Sequence, residues 1–279
     1  MTIADKTVLV TGATDGVGKL VARRLAEQGA RVLLHGRNQA KGESVLDELR
    51  GATHNHRLMF LCADLAALAE VRALAGAVLE ATDRLDILIN NAGIGSQSAG
   101  VGGREVSRDG HELRFAVNYL APFLLTHLLL PTIRRSAPAR IVNVSSAGQQ
   151  AIDFDDVMLT RGYDGTRAYR QSKLAQILFT FDLADRLAGT GVTVTCLHPS
   201  TYMNTNMVRI AGHTPISTVE DGADAVLNLA LSPALDGATG LYFNRRQPTR
   251  ADPQAYDETA RTRLWRLSLD LCGLPHGTM

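Results

Sequence analysis

The chain has 279 residues with 29 Lys and Arg against 28 Asp and Glu, a net charge of +1 that offers no whole-chain basic field to a nucleic acid. Its three cysteines, Cys62, Cys196 and Cys272, are odd in number and far apart, which argues against a disulfide framework or a clustered thiolate metal site. Met1 to Lys6 lacks the charged-then-apolar pattern of a signal segment, and the longest apolar stretch, Phe123 to Leu130, is short for a membrane span and carries His127, so a soluble cytoplasmic protein is expected.

Short β-branched or Leu-rich runs alternate with longer amphipathic segments along the chain. A strand over 8–11 leads to a helix over 18–28, 31–35 to 39–50, 58–62 to 67–81, 86–90 to 110–130, 140–144 to 168–187 and 193–198 to 219–231. A strand over 241–243 and a final helix at about 253–272 close the series, the latter from Tyr256, Ala260, Leu264, Leu267 and Leu271 at three- and four-residue spacing. Cys62 and Cys196 fall in strands of this series, where a buried small apolar residue is the simplest reading. Apolar strands alternating with helices predict an α/β fold: a doubly wound parallel sheet of about seven strands with helices on both faces. With no internal repeat or low-complexity linker, residues 1–279 are read as one domain. Three irregular stretches, 93–110, 148–165 and 200–217, each follow a strand and should project over the C-terminal edge of the sheet, where open α/β folds bind ligands.

The chemistry-bearing residues fall in the same order. Thr11-Gly12-Ala13-Thr14-Asp15-Gly16-Val17-Gly18 joins the first strand to the first helix, where glycines permit a tight turn and close approach of a pyrophosphate to the helix N-terminus. It is not a Walker loop, because Lys19 follows the last glycine without a hydroxyl residue after it. The second strand ends in Leu34-His35-Gly36-Arg37-Asn38 with no carboxylate for a ribose. Arg37 suits a 2′-phosphate instead, with Lys41 a second cation one turn later, so NADP is favoured over NAD, although Asp15 brings an opposing charge. Asp64, before Leu65, is either a helix N-cap or an adenine contact. Tyr169 and Lys173 stand one helical turn apart, so the ammonium can lie near the phenol and favour its ionised form. His54 and His56 have no third ligand nearby, and no metal is expected anywhere in the chain.

Together, Thr11 to Gly18, Asn90-Asn91-Ala92-Gly93, Asn118, Ile141 to Ser146, Tyr169-x-x-x-Lys173 and His198-Pro199 make the chain resemble the short-chain dehydrogenase/reductase family over essentially its whole length. Tyr169 to Ala175 is most similar to the retinol-dehydrogenase-like branch and its bacterial relatives. The resemblance implies a nicotinamide-dependent oxidoreductase of alcohols and carbonyls. In it Tyr169 exchanges a proton at the substrate oxygen, Ser146 hydrogen-bonds that oxygen, Lys173 binds the nicotinamide ribose and lowers the Tyr169 pKa, and Asn118 holds a water linking Lys173 to solvent. It also implies cofactor contacts at Gly12, Thr14, Asp15, Gly16, Val17, Gly18, Arg37, Asn38, Asp64, Leu65, Asn91, Ala92, Gly93, Tyr169, Lys173 and Pro199. Dimers through the helices of Asn118 and Tyr169 occur in the family, and so do monomers.

Each assignment has a competitor. Ser145 rivals Ser146, Asn118 could merely satisfy backbone groups inside its helix, Tyr163 reads as a loop residue, and His198 reads as a structural hydrogen-bonding residue. Two departures from the family pattern stand out: Ser200 in place of a glycine after His198-Pro199, and 23 positions from Ser146 to Tyr169, which suggest an added segment near the substrate mouth. Tyr202, Met203, Met207 and Ile210 could form an apolar lid over a lipophilic substrate. The alternatives are an NADP-binding sensor without turnover and an epimerase or dehydratase retaining its NAD. The first is disfavoured because both Tyr169 and Lys173 are present, the second because no large C-terminal substrate domain is present.

Overall fold

The computed structural model describes residues 2–97 and 103–277. Seven parallel strands, β1 (Thr7–Val10), β2 (Arg31–Gly36), β3 (Leu58–Cys62), β4 (Ile87–Asn90), β5 (Ala139–Val144), β6 (Val192–His198) and β7 (Leu241–Asn244), lie within one or two residues of their predicted positions. They form one sheet in the order β3-β2-β1-β4-β5-β6-β7, extended by an antiparallel β8 (Gln247–Pro248) that periodicity cannot reveal in two residues. The strand order reverses between β1 and β4. A crevice at that point, at the C-terminal ends of the strands, is where a doubly wound sheet binds its ligand.

Alternation along each strand divides the core into two layers. Leu9, Leu33, Leu88, Ile141 and Val194 face α3 (Leu68–Ala81), α5 (Ala121–Arg135), α6 (Gly165–Arg186) and α9 (Glu258–Cys272). Val10, Leu34, Ile89, Val142 and Leu197 face α1 (Gly16–Glu27), α2 (Gln39–Thr53) and α8 (Val219–Leu231). This is the expected α/β doubly wound fold.

Several expectations about individual elements change. The helix expected over 110–130 starts as α4 (Leu113–Phe115), widens into a π-helical turn at Ala116–Leu120 and runs through Pro131 to the end of α5, so it is longer than the sequence suggested. The continuous run Leu113–Arg135 is long and apolar enough by length and composition to cross a membrane, but 83% of its apolar window is buried inside the fold. The final helix buries Ala260 and Leu264 as predicted, but past Leu264 its inward face rotates by one residue to Trp265, Ser268, Leu269 and Cys272, and Tyr256 is exposed under Arg250. The rotation follows from Trp265, whose ring packs on Phe123 at 5.3 Å between centroids, and from Ser268, whose hydroxyl meets that of Tyr119 at 2.6 Å. Cys62 is exposed rather than buried, because β3 is the edge strand.

Asp86, just before β4, ties the N-terminal end of the sheet together. Its carboxylate accepts from Lys6 Nζ (2.9 Å), the Thr7 amide (2.9 Å) and the Arg84 guanidinium (2.7 Å) and is itself fully buried. Burial opposes its charge, but the bonds from Arg84, Thr7 and Lys6 outweigh this and hold its pKa below the ordinary carboxylate value. Stability from this group is therefore present above the unfolded-chain pKa of about 3.9 and is lost as pH falls through the lower folded value. Asp86→Asn is expected to lower the unfolding free energy at neutral pH by about 3 kcal/mol, with the gap to wild type closing below about pH 4; urea titrations at a series of pH values measure both.

Candidate active site

The crevice is stapled by side chains at the ends of β1 and β4. Thr11 Oγ1 accepts from the Asn91 and Ala92 amides, both at 3.0 Å, and Asn91 Nδ2 donates to Thr11 O at 2.9 Å and to Gly12 O at 3.3 Å. The glycine-rich turn is thereby fixed against the Asn91-Ala92-Gly93 segment, and no side chain fits between them. A Cβ on Gly12 (φ +66°) would stand 2.9 Å from Ala92 Cα, and one on Gly18 would clash with Gly12 O and Asn91 Nδ2. At the end of β2, a Cβ on Gly36 would stand 2.5 Å from Thr14 Cγ2. Bare backbone therefore lines the start of α1, whose first-turn amides at Val17 and Gly18 have no intrahelical acceptor and carry the positive end of the helix.

His35, which sequence reading passed over, braces this turn from beneath. Its Nδ1 accepts from the Gly12 amide (3.3 Å) and its Nε2 faces Ala63 O (3.0 Å), so one neutral tautomer satisfies both bonds. Burial lowers its pKa to about 4 and keeps that tautomer at neutral pH. Gly12 thus spends its amide on His35 and offers a ligand only its bare Cα.

The residues at the ends of β2 and β3 take different parts. Arg37 is exposed and makes no ion pair among the described residues, and Asn38 N-caps α2 through the Lys41 amide (2.9 Å). Lys41 Nζ lies 2.7 Å from Asp15, which caps α1 and also accepts from Asn206 Nδ2 at 2.9 Å. Lys41 therefore neutralises the charge that Asp15 brings to the turn rather than standing as a free second cation. Asp64 does not cap a helix: α3 starts at Leu68 with Ala67 as its N-cap residue, and the Asp64 carboxylate accepts from the Ala66 amide at 3.0 Å. Leu65 is a core residue, leaving only its backbone toward the crevice.

Beyond β5 the two candidate serines separate as strand alternation requires. Ser145 Oγ donates to Lys173 O at 2.7 Å, inside the protein. Ser146 Oγ instead accepts from the Gly148 amide at 3.0 Å, and a Cβ on Gly148 would lie 3.5 Å from that oxygen and 3.7 Å from Tyr169 Cε1, so the serine and the phenol border the same glycine at the cleft. Asn118, in the π-helical turn, is fully buried; its Oδ1 accepts from the Ile94 amide (2.8 Å) and its Nδ2 donates to Ile94 O (3.1 Å) and Ser172 Oγ (3.0 Å). Its donors are thus committed to the loop after β4 and to α6, and not to backbone groups of its own helix. A Cβ on Gly93 would lie 3.2 Å from Asn118 Oδ1 and 3.3 Å from Lys173 Nζ, so glycine there keeps the space between them open. Pro199 is buried at the end of β6, beside His198, whose Nε2 meets Thr201 Oγ1 at 2.9 Å in the structural role expected of it.

The expected action of Lys173 on Tyr169 is corrected. Lys173 Nζ donates to Val144 O and to Gln176 Oε1, both at 2.9 Å, and stands 6.0 Å from the Tyr169 ring centre. Burial lowers its own pKa to about 7. The Tyr169 pKa is raised, not lowered: burial pushes it up and the Ser146 hydroxyl offsets this only in part. Shared helix face brings the two side chains near each other, but the uncharged acceptors beside Lys173 draw its ammonium inward.

The stretch over 148–165 is clamped to the body rather than free. Ile152 exchanges two hydrogen bonds with the Gln254 side chain (2.6 and 3.1 Å), and Gln171 Nε2 donates to Ala151 O at 2.7 Å. Its far end is pinned by a buried cluster that the sequence did not disclose. Tyr163 Oη donates to Glu112 Oε1 (3.0 Å) and accepts from Arg114 Nη1 (2.9 Å), and Arg114 donates to Gly95 O and Ser96 O, both at 3.2 Å. Arg114 and Glu112 are 2% and 1% exposed, so Tyr163 is no ordinary loop residue. The same cluster anchors the start of the stretch over 93–110, of which residues 98–102 lie outside the described residues. The third stretch contains the short helix α7 (Asn206–Ile210), with Tyr202, Met207 and Ile210 exposed and Met203 packed under Gly222.

The sequence profile of the short chain dehydrogenases matches residues 6–215. Human retinol dehydrogenase 13 is 41% identical over 98% of this chain and 86% of its own. Among solved structures, an uncharacterized protein from Mycobacterium paratuberculosis superposes with a TM-score of 0.78 at 30% identity over 98% of both chains. The Pseudomonas aeruginosa RhlG/NADP active-site complex superposes with a TM-score of 0.70 at 29% identity over 87% of this chain and 95% of that one.

Removing the Tyr163 hydroxyl leaves a buried carboxylate oxygen and a guanidinium nitrogen each one partner short. Tyr163→Phe is expected to lower the unfolding free energy by about 1–3 kcal/mol, read from urea denaturation.

Proposed function

The chain belongs to the short-chain dehydrogenase/reductase family, and on that premise we propose that it is an NADP-dependent reductase of lipophilic carbonyl compounds, acting as one domain over residues 1–279. Membership makes it an enzyme that acts on the alcohol or carbonyl group of a small molecule. The observation that carries the finer reading is the exposed Arg37 at the end of β2, which makes no ion pair among the described residues, with Asp15 already neutralised by Lys41. A planar fork in that position suits a 2′-phosphate. The side-chain-free backbone at Gly12, Gly18 and Gly36 fits a dinucleotide, and the RhlG complex, similar in fold, holds NADP.

In this reading Arg37 takes the 2′-phosphate, the Val17 and Gly18 amides with the N-terminus of α1 take the pyrophosphate, and Thr14, Asn38 and Asp64 border the adenosine. Asn91, Ala92, Gly93 and Pro199 border the nicotinamide half, with Lys173 at its ribose. The bound nicotinamide supplies the hydride. Tyr169 gives its proton to the substrate oxygen, and Ser146 hydrogen-bonds that oxygen as charge develops on it. The Tyr169 phenol is protonated at neutral pH, the form that carbonyl reduction needs. Asn118 acts through position, holding the Ile94 loop and α6 so that Lys173 and Tyr169 keep their places. A lipophilic substrate is supported by exposed Tyr202, Met207 and Ile210 beside the cleft and by relatives named for retinol, a lipophilic alcohol. Burial of the apolar run Leu113–Arg135 fits a cytoplasmic setting.

Steady-state assays with linear aldehydes, steroid ketones and aromatic ketones test this reading. Turnover with NADPH is expected to exceed that with NADH, and Arg37→Ser is expected to lower kcat/KM for NADPH by about tenfold or more while sparing NADH, the loss of one charged phosphate contact. Activity confined to small polar sugars, or an Arg37→Ser variant indifferent to the 2′-phosphate, contradicts it.

A further inference from the structure

We propose that Gln176 is a positioning residue for the reaction, holding the Lys173 ammonium in place and governing its charge by offering it an uncharged acceptor. The inference rests on the reading that Lys173 serves the hydride-transfer site. Gln176 lies three residues beyond Lys173 on α6, so the two side chains share a face, and its Oε1 accepts from Lys173 Nζ at 2.9 Å with both residues buried. Val144 O at the end of β5 is the other acceptor. Around them, β5 contributes Val144, Ser145 and Ser146, the loop after β4 contributes Gly93, and the π-helical turn contributes Asn118, none of which carries charge. The titratable groups on this side are Tyr169 on α6 and, beyond it, Tyr242 on β7 and Cys196 on β6, each with its pKa raised by burial. Among the described residues no carboxylate acts on Lys173, and burial accounts for its lowered pKa.

The remainder of the Gln176 environment fixes that acceptor. Its backbone carbonyl accepts from Thr180 Oγ1 (2.8 Å), which accepts from Asn143 Nδ2 (2.9 Å), and Asn143 Oδ1 accepts from Asn90 Nδ2 (2.8 Å). The register of α6 on β4 and β5 is therefore set by a buried polar ladder that ends at Gln176. Gln176 Nε2 has no partner among the described residues, so the amide is not kept for its donor. Among the described residues its one side-chain bond is the one to Lys173. A residue of similar shape without the oxygen would pack as well and would take away half of the ammonium's hydrogen bonds.

The test is the pH dependence of kcat/KM for NADPH-driven carbonyl reduction in wild type, Gln176→Met, Gln176→Glu and Lys173→Met, with thermal melts to establish folding. Gln176→Met removes the acceptor and is expected to move the alkaline limb down, while Gln176→Glu supplies a counter-ion and is expected to move it up, each by about one pH unit. Shifts of opposite sign are not produced by loosened packing. Limbs that coincide with wild type, or that move the same way, while Lys173→Met is inactive, overturn the role of Gln176. Should Gln176→Glu fail to fold, an unmoved limb in folded Gln176→Met overturns it alone. Wild-type activity in Lys173→Met overturns the assignment of Lys173 itself, and the inference with it.

Discussion

An ammonium buried with no counter-ion among the described residues is the constraint on which the rest of this site depends. Lys173 is held by two neutral oxygens, Val144 O and Gln176 Oε1, and a charge so placed persists only where its surroundings over-determine it. They do so through α6. Ser145 grips the Lys173 carbonyl, Asn143 and Thr180 lock the helix one turn further on, and Ser172 ties it to Asn118. The same rigidity fixes Tyr169 one turn before Lys173 and sets its phenol beside Ser146.

The cofactor half is ordered by a different device, close approach of backbones. Thr11 and Asn91 bind β1 to β4 at the reversal of strand order, and glycine is required where those backbones meet. His35 completes the arrangement as a neutral strut, because burial suppresses its protonation. The result is a turn shaped before any ligand arrives, which lowers the ordering cost of binding. On the substrate side, Arg114, Glu112 and Tyr163 pin the stretches after β4 and β5 to one another. A buried ion pair of this kind is weak evidence for stability and better understood here as fixing the register of two otherwise irregular segments.

How far the sequence discloses this structure depends on the physical signal. Strands β1 to β7 and the long helices are legible because apolar runs and three- or four-residue spacing report burial directly. β8 is too short to have a period, and α5 runs past Pro131, where a proline ordinarily argues for a stop. Past Leu264 the inward face of α9 lies one residue round from the leucines, because leucine spacing alone ignores Trp265 and the Ser268 hydroxyl. Ser146, just after β5, and Tyr169 and Lys173, on α6, come together at the C-terminal end of β5. Their electrostatics were not legible, since helical spacing gives proximity but not which oxygen an ammonium chooses. Arg114 and Glu112 read as surface charge, and only their depth reveals them. Gln176 carried a visible signal, its place one turn beyond Lys173, that motif reading stopped short of.

The central claim is that the Tyr169 phenol delivers the proton while the rest of the crevice binds and positions. Single-turnover reduction of a carbonyl substrate by the Tyr169→Phe enzyme, paired with a titration of NADPH binding, tests it most directly. The account predicts nucleotide affinity within about twofold of wild type and a transfer rate lower by about a thousandfold, within the range of a general acid's contribution. A variant that binds NADPH and turns over at the wild-type rate contradicts it.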